Sequence, residues 1–134
     1  MELVVDTNIV AAAILKKGLT RNLLFNGELS LYAPDRLATE LLKHEKEFTA
    51  KSGLSREQFQ QAAAIVLSRV VSLPFESYAS YSARAKQISP DADDWPFFAA
   101  ALQRNCPIWS NDKKLKLQTA VKLYSTEELL ARLA

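Results

Sequence analysis

The chain has 134 residues, 49% of them apolar, which is enough for one domain with its own core and no need of disulfide or metal staples. Its 17 Lys and Arg against 15 Asp and Glu leave a formal charge of +2, which excludes a polycationic tail or arm, so a polyanionic partner must be met by a local patch. The single cysteine, Cys106, cannot close an internal disulfide, no Cys/His spacing suits structural zinc, and the short apolar runs lack both a basic leader and bilayer-spanning length, so a cytoplasmic chain with no membrane association is expected.

In chain order, MELVVDTN is a β-branched run ending in Asp-Thr-Asn, and IVAAAILKKG has the composition of a helix closed by Gly18. A second helix is expected over 21–25, then a strand over ELSLYAP (28–34). Asp35 stands as N-cap of a helix running through RLATELLKHEKEF. After a loop at TAKSGLS, SREQFQQAAAIVLSRV (55–70) opens with a Ser-x-x-Gln capping box and leads to the strand VVSLP. One helix is expected over ESYASYSARAKQI. An acid cluster then precedes a helix at 94–105, followed by the strand CPIWSND, a helical turn over 113–117, the strand AVKLYS, and a last helix capped by Ser125 or Thr126.

Strands read as short continuous apolar runs alternating with helices, which predicts a parallel sheet of about five strands with helices on both faces. No repeat or Gly/Ser linker interrupts the pattern, so residues 1–134 are read as a single domain. In such sheets function gathers at the carboxyl ends of the strands, above the switch in strand order. If the order is 3-2-1-4-5, Asp6 and Asp112 follow neighbouring strands at that switch. The helices starting near 35 and 94 bring Glu40 and Asp94 to the same rim.

Taken singly, each acid has an ordinary use: Asp6 as a helix cap, Asp93 as cap of the helix at 94 with Pro96 in its first turn, Glu40 as a solvated helix residue. Together they are costly, because two unit charges about 5 Å apart repel by roughly 0.8 kcal/mol in water and about 3 at an effective dielectric of 20. A helix N-terminus returns only about 0.3 to 1 kcal/mol. Oxygen donors without His or Cys suit Mg²⁺ or Mn²⁺, hard ions that meet substrate phosphate through open positions.

The segments VVDTNIVAAAI, PDRLATELLKH, DADDWPFFAAAL and IWSNDKKL, in this order and spacing, resemble the PIN-domain family over nearly the whole chain, including its VapC-like toxin ribonucleases. The resemblance implies a three-layer α/β/α sandwich and a Mg²⁺- or Mn²⁺-dependent endoribonuclease, as in the toxins of toxin–antitoxin pairs. It carries the four acids of the family onto Asp6, Glu40, Asp94 and Asp112. Asp94 is chosen over its neighbours because the family's acid stands three residues before an apolar position and five before a small one, here Phe97 and Ala99. Asp91 and Asp93 remain auxiliary ligand candidates, and Asn8 and Ser110 match polar positions that would orient a carboxylate or a water. The resemblance further implies a homodimer and an antitoxin protein as partner.

The chemistry implied is hydrolysis, with Asp6, Asp94 and Asp112 holding one or two ions, Glu40 on metal or water, and in-line attack of an activated water on the phosphodiester. No His is placed for a 2′-OH route; His44 reads as a solvated helix residue. RNA phosphates would be gripped by Lys16, Lys17 and Arg21 after the first helix and by Lys113, Lys114 and Lys116 beside Asp112. Trp95 could stack on a base, whereas Trp109 falls within a strand and belongs to the core. The main alternative is a catalytically silent RNA-binding or regulatory module. A phosphatase using Asp6 as nucleophile would want a second Asp where Asn8 stands, and a receiver domain would want an Asp closing the third strand, where VVSLP has none.

Overall fold

The computed structural model describes residues 1–134. Five parallel strands, β1 (Glu2–Val5), β2 (Ser30–Pro34), β3 (Val70–Leu73), β4 (Ile108–Trp109) and β5 (Leu123–Tyr124), form one sheet in the order β3-β2-β1-β4-β5. This is the expected 3-2-1-4-5 order. The helices are α1 (Thr7–Leu15), α2 (Leu19–Leu24), α3 (Arg36–Lys43), α4 (Glu45–Ser52), α5 (Arg56–Leu67), α6 (Phe75–Tyr78), α7 (Ser82–Ile88), α8 (Trp95–Arg104) and α9 (Thr126–Leu133). α1 packs with α2, α3 and α5, whereas α8 packs on β1 and β2 and carries α6 and α7, giving the α/β/α sandwich.

The sheet's centre is dry because β1 presents Leu3, Val4 and Val5, all fully buried, and β4 presents Ile108 and Trp109. Helices cover both faces, which is why these strands are continuous apolar runs rather than alternating ones. α8 buries Pro96 through Ala101, and its three alanines let the helix axis lie close against the strands. β4 and β5 are shorter than the expected segments. Even so, Val4 donates to Pro107, Asp6 to Trp109, Ile108 to Lys122 and Ser110 to Tyr124, at 2.9 to 3.0 Å, so main-chain pairing continues to the strand ends.

The helix expected to run unbroken from 36 to 48 turns at His44, whose φ of −103° and ψ of 13° are not helical. α3 buries a stripe of Leu37 and Leu41, but the polar run Lys43 to Glu47 offers no apolar residue to continue it. α4 swings off until Phe48 stacks on Phe59, ring centroids 6.1 Å apart. The expected loop at 49–55 shrinks accordingly: Thr49 to Ser52 belong to α4, which ends at Gly53 in the left-handed conformation (φ 76°). Ser55 and Gln58 form the expected capping box, as do Ser125 and Glu128 at α9. The segment 76–88 is not one helix, since a 3₁₀ turn over Ala79–Tyr81 separates α6 from α7.

Asp35 is not a side-chain cap for α3, since its backbone is helical and its carboxylate makes no capping bond. Instead it accepts from the Phe75 amide at 3.1 Å and the Tyr78 hydroxyl at 2.9 Å, tying the end of β2 to α6. Its neighbouring negative charge, after burial, helps push the Tyr78 phenol well above its ordinary pKa. Asp35→Ala should lower stability by about 1 to 3 kcal/mol, because the buried Tyr78 hydroxyl loses its acceptor. The check is the urea midpoint at unchanged slope; a shift below about 0.5 kcal/mol, ordinary for a surface substitution, would show the tie to be dispensable.

Candidate active site

The four acids reach one edge of the sheet by four different routes. Asp6 directly follows β1 and Asp112 lies three residues beyond β4, while β1 and β4 are paired neighbours. α3 leaves the carboxyl end of β2, so its second turn carries Glu40 near that edge. α8 descends antiparallel to the strands on its way to β4, so its N-terminal end, where Asp94 precedes Trp95, lies at the same rim.

Ser110 joins the two central acids. It is the chain's only fully buried polar residue, 1% exposed; its hydroxyl donates to Asp6 Oδ2 at 2.6 Å and accepts from the Asp112 amide at 3.1 Å. Asp112 Oδ1 in turn accepts from the Lys114 amide at 3.0 Å, which opens a 3₁₀ turn over Lys113–Leu117. A single hydroxyl thus ties the Asp6 carboxylate to the backbone of the segment that carries Asp112.

Glu40 is held on both oxygens. Thr7 Oγ1 donates to Oε2 at 2.9 Å from the start of α1, and Arg36 Nε donates to Oε1 at 2.9 Å from one turn earlier on α3. Sequence reasoning missed both partners. Thr7 sat unremarked inside Asp-Thr-Asn, and Arg36 was legible only as the i−4 neighbour of Glu40. Of the four acids, Glu40 alone has a salt-bridge partner.

Electrostatics single out Asp94. Burial, then the charges of Asp6, Asp91, Asp112 and Glu40, push its carboxyl up to about 6. The three other acids of the family set, and Asp91, all act on this one group. Asp6 is also raised, chiefly by burial and further by Asp112, against the opposing effect of the Ser110 hydroxyl and the Asn8 and Thr7 amides. Neither carboxylate has a cation of its own.

The cluster Asp91-Ala92-Asp93-Asp94 resolves into distinct roles. Asp93 is exposed and caps nothing; the cap is Asp91, whose Oδ1 accepts from the Asp93 amide at 2.9 Å at the start of a 3₁₀ turn over Ala92–Asp94. The other Asp91 oxygen faces Lys114 Nζ at 3.6 Å. Asn8 is exposed on the first turn of α1, with no protein hydrogen bond to its side chain. Trp109 is fully buried and donates to Thr126. Trp95 is half-buried against Tyr78 and Lys86.

The six basic candidates do not form one patch. α1 runs away from Asp6 for nine residues, so Lys16 lies about 14 Å down the helix at 1.5 Å per residue. There Lys16, Lys17 and Arg21 line a groove of about 510 Å³ between α1 and α5 with Ile14, Gln58 and Ile65. Arg21 is also spent structurally, its guanidinium donating to the carbonyls of Ala13 and Ile14 at 2.6 and 2.9 Å. Lys113, Lys114 and Lys116 stand beside Asp112. Lys116 is paired with Glu128 and Lys114 with Asp91, leaving Lys113 without a salt-bridge partner.

The donor set fits a hard divalent cation in chemistry and charge: all oxygen, no His or Cys, and an excess of negative charge around Asp94. No three of the carboxylates converge on one point in this arrangement. No helix is long and apolar enough to cross a membrane.

Comparison with known proteins agrees with the geometry. None of the curated protein sequences matches the chain. Among solved structures, VapBC2 from Rickettsia felis, bound to a DNA fragment from their promoter, is similar in fold, with a TM-score of 0.66 and 23% identity over 93% of this chain and 98% of that one. The model of the PIN domain family matches residues 4–134. With a match over almost its whole length and the parallel 3-2-1-4-5 sheet beneath it, the chain belongs to the PIN-domain family.

Proposed function

We propose that this protein is a metal-dependent endoribonuclease, the toxin of a toxin–antitoxin pair, whose reaction centre is Asp6, Glu40, Asp94 and Asp112. The observation that carries the reading is the raised Asp94, which senses all three other acids at a strand-end rim. One or two Mg²⁺ or Mn²⁺ ions bound there would supply an activated water nucleophile and neutralise charge on the leaving 3′ oxygen.

The chain's own residues do the positioning. Ser110 fixes Asp6 against Asp112, Thr7 and Arg36 fix Glu40, and rigid strand ends hold the first pair while α8 presents Asp94. Asn8, exposed beside Asp6, is free to orient a water, and Asp91 and Asp93 serve as outer acids. Lys113 and Lys114 give phosphate contacts next to the rim. An antitoxin partner is part of this proposal, supported by likeness to the VapBC2 structure, and so is a homodimer, which rests on the family alone.

In a mixed RNA pool, cleavage is expected with Mg²⁺ or Mn²⁺ and not with EDTA. Asp6→Asn and Asp94→Asn should each lose about a hundredfold or more in rate, as removal of a ligand worth several kcal/mol implies. His44→Ala should stay within about twofold, since its ring is half-exposed, faces Glu47 at 3.4 Å and packs edge-on against Phe48, none of it at the acidic rim. Tight RNA binding without cleavage in any metal would favour the silent binding module instead.

The second test is thermal. Asp94 holds its proton up to about 6 in the folded chain, against 3.8 for an ordinary aspartate, so the stability from this group is present below pH 3.8 and is lost as pH rises through about 6. The metal-free protein should therefore melt lower at pH 7 than at pH 5 by more than Asp94→Asn does. Saturating Mn²⁺ at pH 7 should raise the wild-type Tm by about 5 to 10 °C and the variant's by much less. Equal metal shifts in both proteins would remove Asp94 from the ligand set.

A further inference from the structure

A phosphodiester brought to four carboxylates needs more positive charge than the ions between them, and the structure supplies it on both sides of the centre. On the β4 side stand Lys113 and Lys114, the latter tied to Asp91. On the β2 side stands Arg36, at the first position of α3. Because β2 and β4 flank β1, these cations bracket Asp6.

Arg36 is held in an unusual division of labour. Its Nε is occupied by Glu40 Oε1 at 2.9 Å, Glu40 is itself fixed from its other oxygen by Thr7, and the guanidinium's two terminal NH₂ groups make no hydrogen bond within the protein. The Arg36 side chain is 40% exposed. A planar fork anchored through one nitrogen, with the remaining donors facing solvent, is preorganised for two-pronged contact with phosphate oxygens, because little rotamer freedom is left to lose on binding.

We infer that Arg36 is a substrate-binding residue that grips an RNA backbone phosphate adjacent to the scissile one, on the opposite side of the acidic centre from Lys113 and Lys114. This rests on the ribonuclease reading above and adds the direction in which the strand crosses the site: from the α3 side, over Asp6 and Asp94, to the turn after β4. It also gives the Arg36–Glu40 pair a use beyond helix stability, since Glu40 aims the fork while keeping its remaining lone pairs for the reaction centre.

The test is fluorescence anisotropy of a dye-labelled single-stranded RNA of about a dozen nucleotides, titrated with the protein in EDTA so that nothing is cut, across a range of salt. Arg36→Gln should bind about fivefold more weakly and lose about 0.7 from the slope of log affinity against log salt, the signature of one lost phosphate contact. Arg36→Lys should restore the slope and only part of the affinity, because an ammonium cannot reproduce the fork. Arg56→Gln, which removes an exposed cation at the start of α5, should keep the wild-type affinity and slope. If Arg36→Gln keeps the wild-type affinity and slope, or if Arg56→Gln weakens binding as much as Arg36→Gln does, the assignment is overturned while the ribonuclease reading stands. If the wild-type protein neither binds RNA in EDTA nor cuts it in Mn²⁺, both fall together.

Discussion

The pairing of β1 with β4 is the constraint on which the site depends. These strands are distant in sequence and adjacent in space; Asp6 directly follows the first and Asp112 lies three residues beyond the second. What converts adjacency into geometry is the Ser110 hydroxyl, buried at the strand ends and bonded both to Asp6 and to the Asp112 amide. A parallel sheet offers no hairpin to fix its register, so the fully buried β1 and β4 side chains set it through packing. The site inherits its precision from the core.

That precision works against charge repulsion. Like-signed carboxylates at one rim destabilise the metal-free fold, as the behaviour of Asp94 records. The chain offsets only part of this: one salt bridge at Glu40, one at the outlying Asp91, and neutral donors at Asp6. Asp94 is given none of them. A site fully neutralised by its own lysines and arginines would be more stable alone; this one keeps uncompensated negative charge at its centre.

Much of this was legible in the sequence because it rests on periodicity and chain direction. Continuous apolar runs meant strands buried on both faces, their alternation with helices meant parallel crossovers, and strand-end acids followed from there. Contacts between side chains of different elements carried no such signal. Thr7 meets Glu40 across 33 residues, and Asp35 meets Tyr78 across 43. The break at His44 depends on where Phe48 finds its partner, which local helix propensity does not encode. The two basic groups looked like one clamp because both follow motifs; the antiparallel course of α1 separates them, and that was deducible from helix length alone.

The alanine run of α8 has a consequence for how this protein tolerates change. Ala99, Ala100 and Ala101 are fully or nearly fully buried, and their small side chains set the distance from the helix to β1 and β2. Asp94 stands at the head of that same rigid rod. A methyl or two added in the middle of the core would lift the rod and carry the carboxylate with it, so positions one to two turns from Asp94 are, in mechanical terms, part of that carboxylate's alignment. Variation in this family member should therefore be tightly restricted along an apolar segment that itself carries none of the four acids.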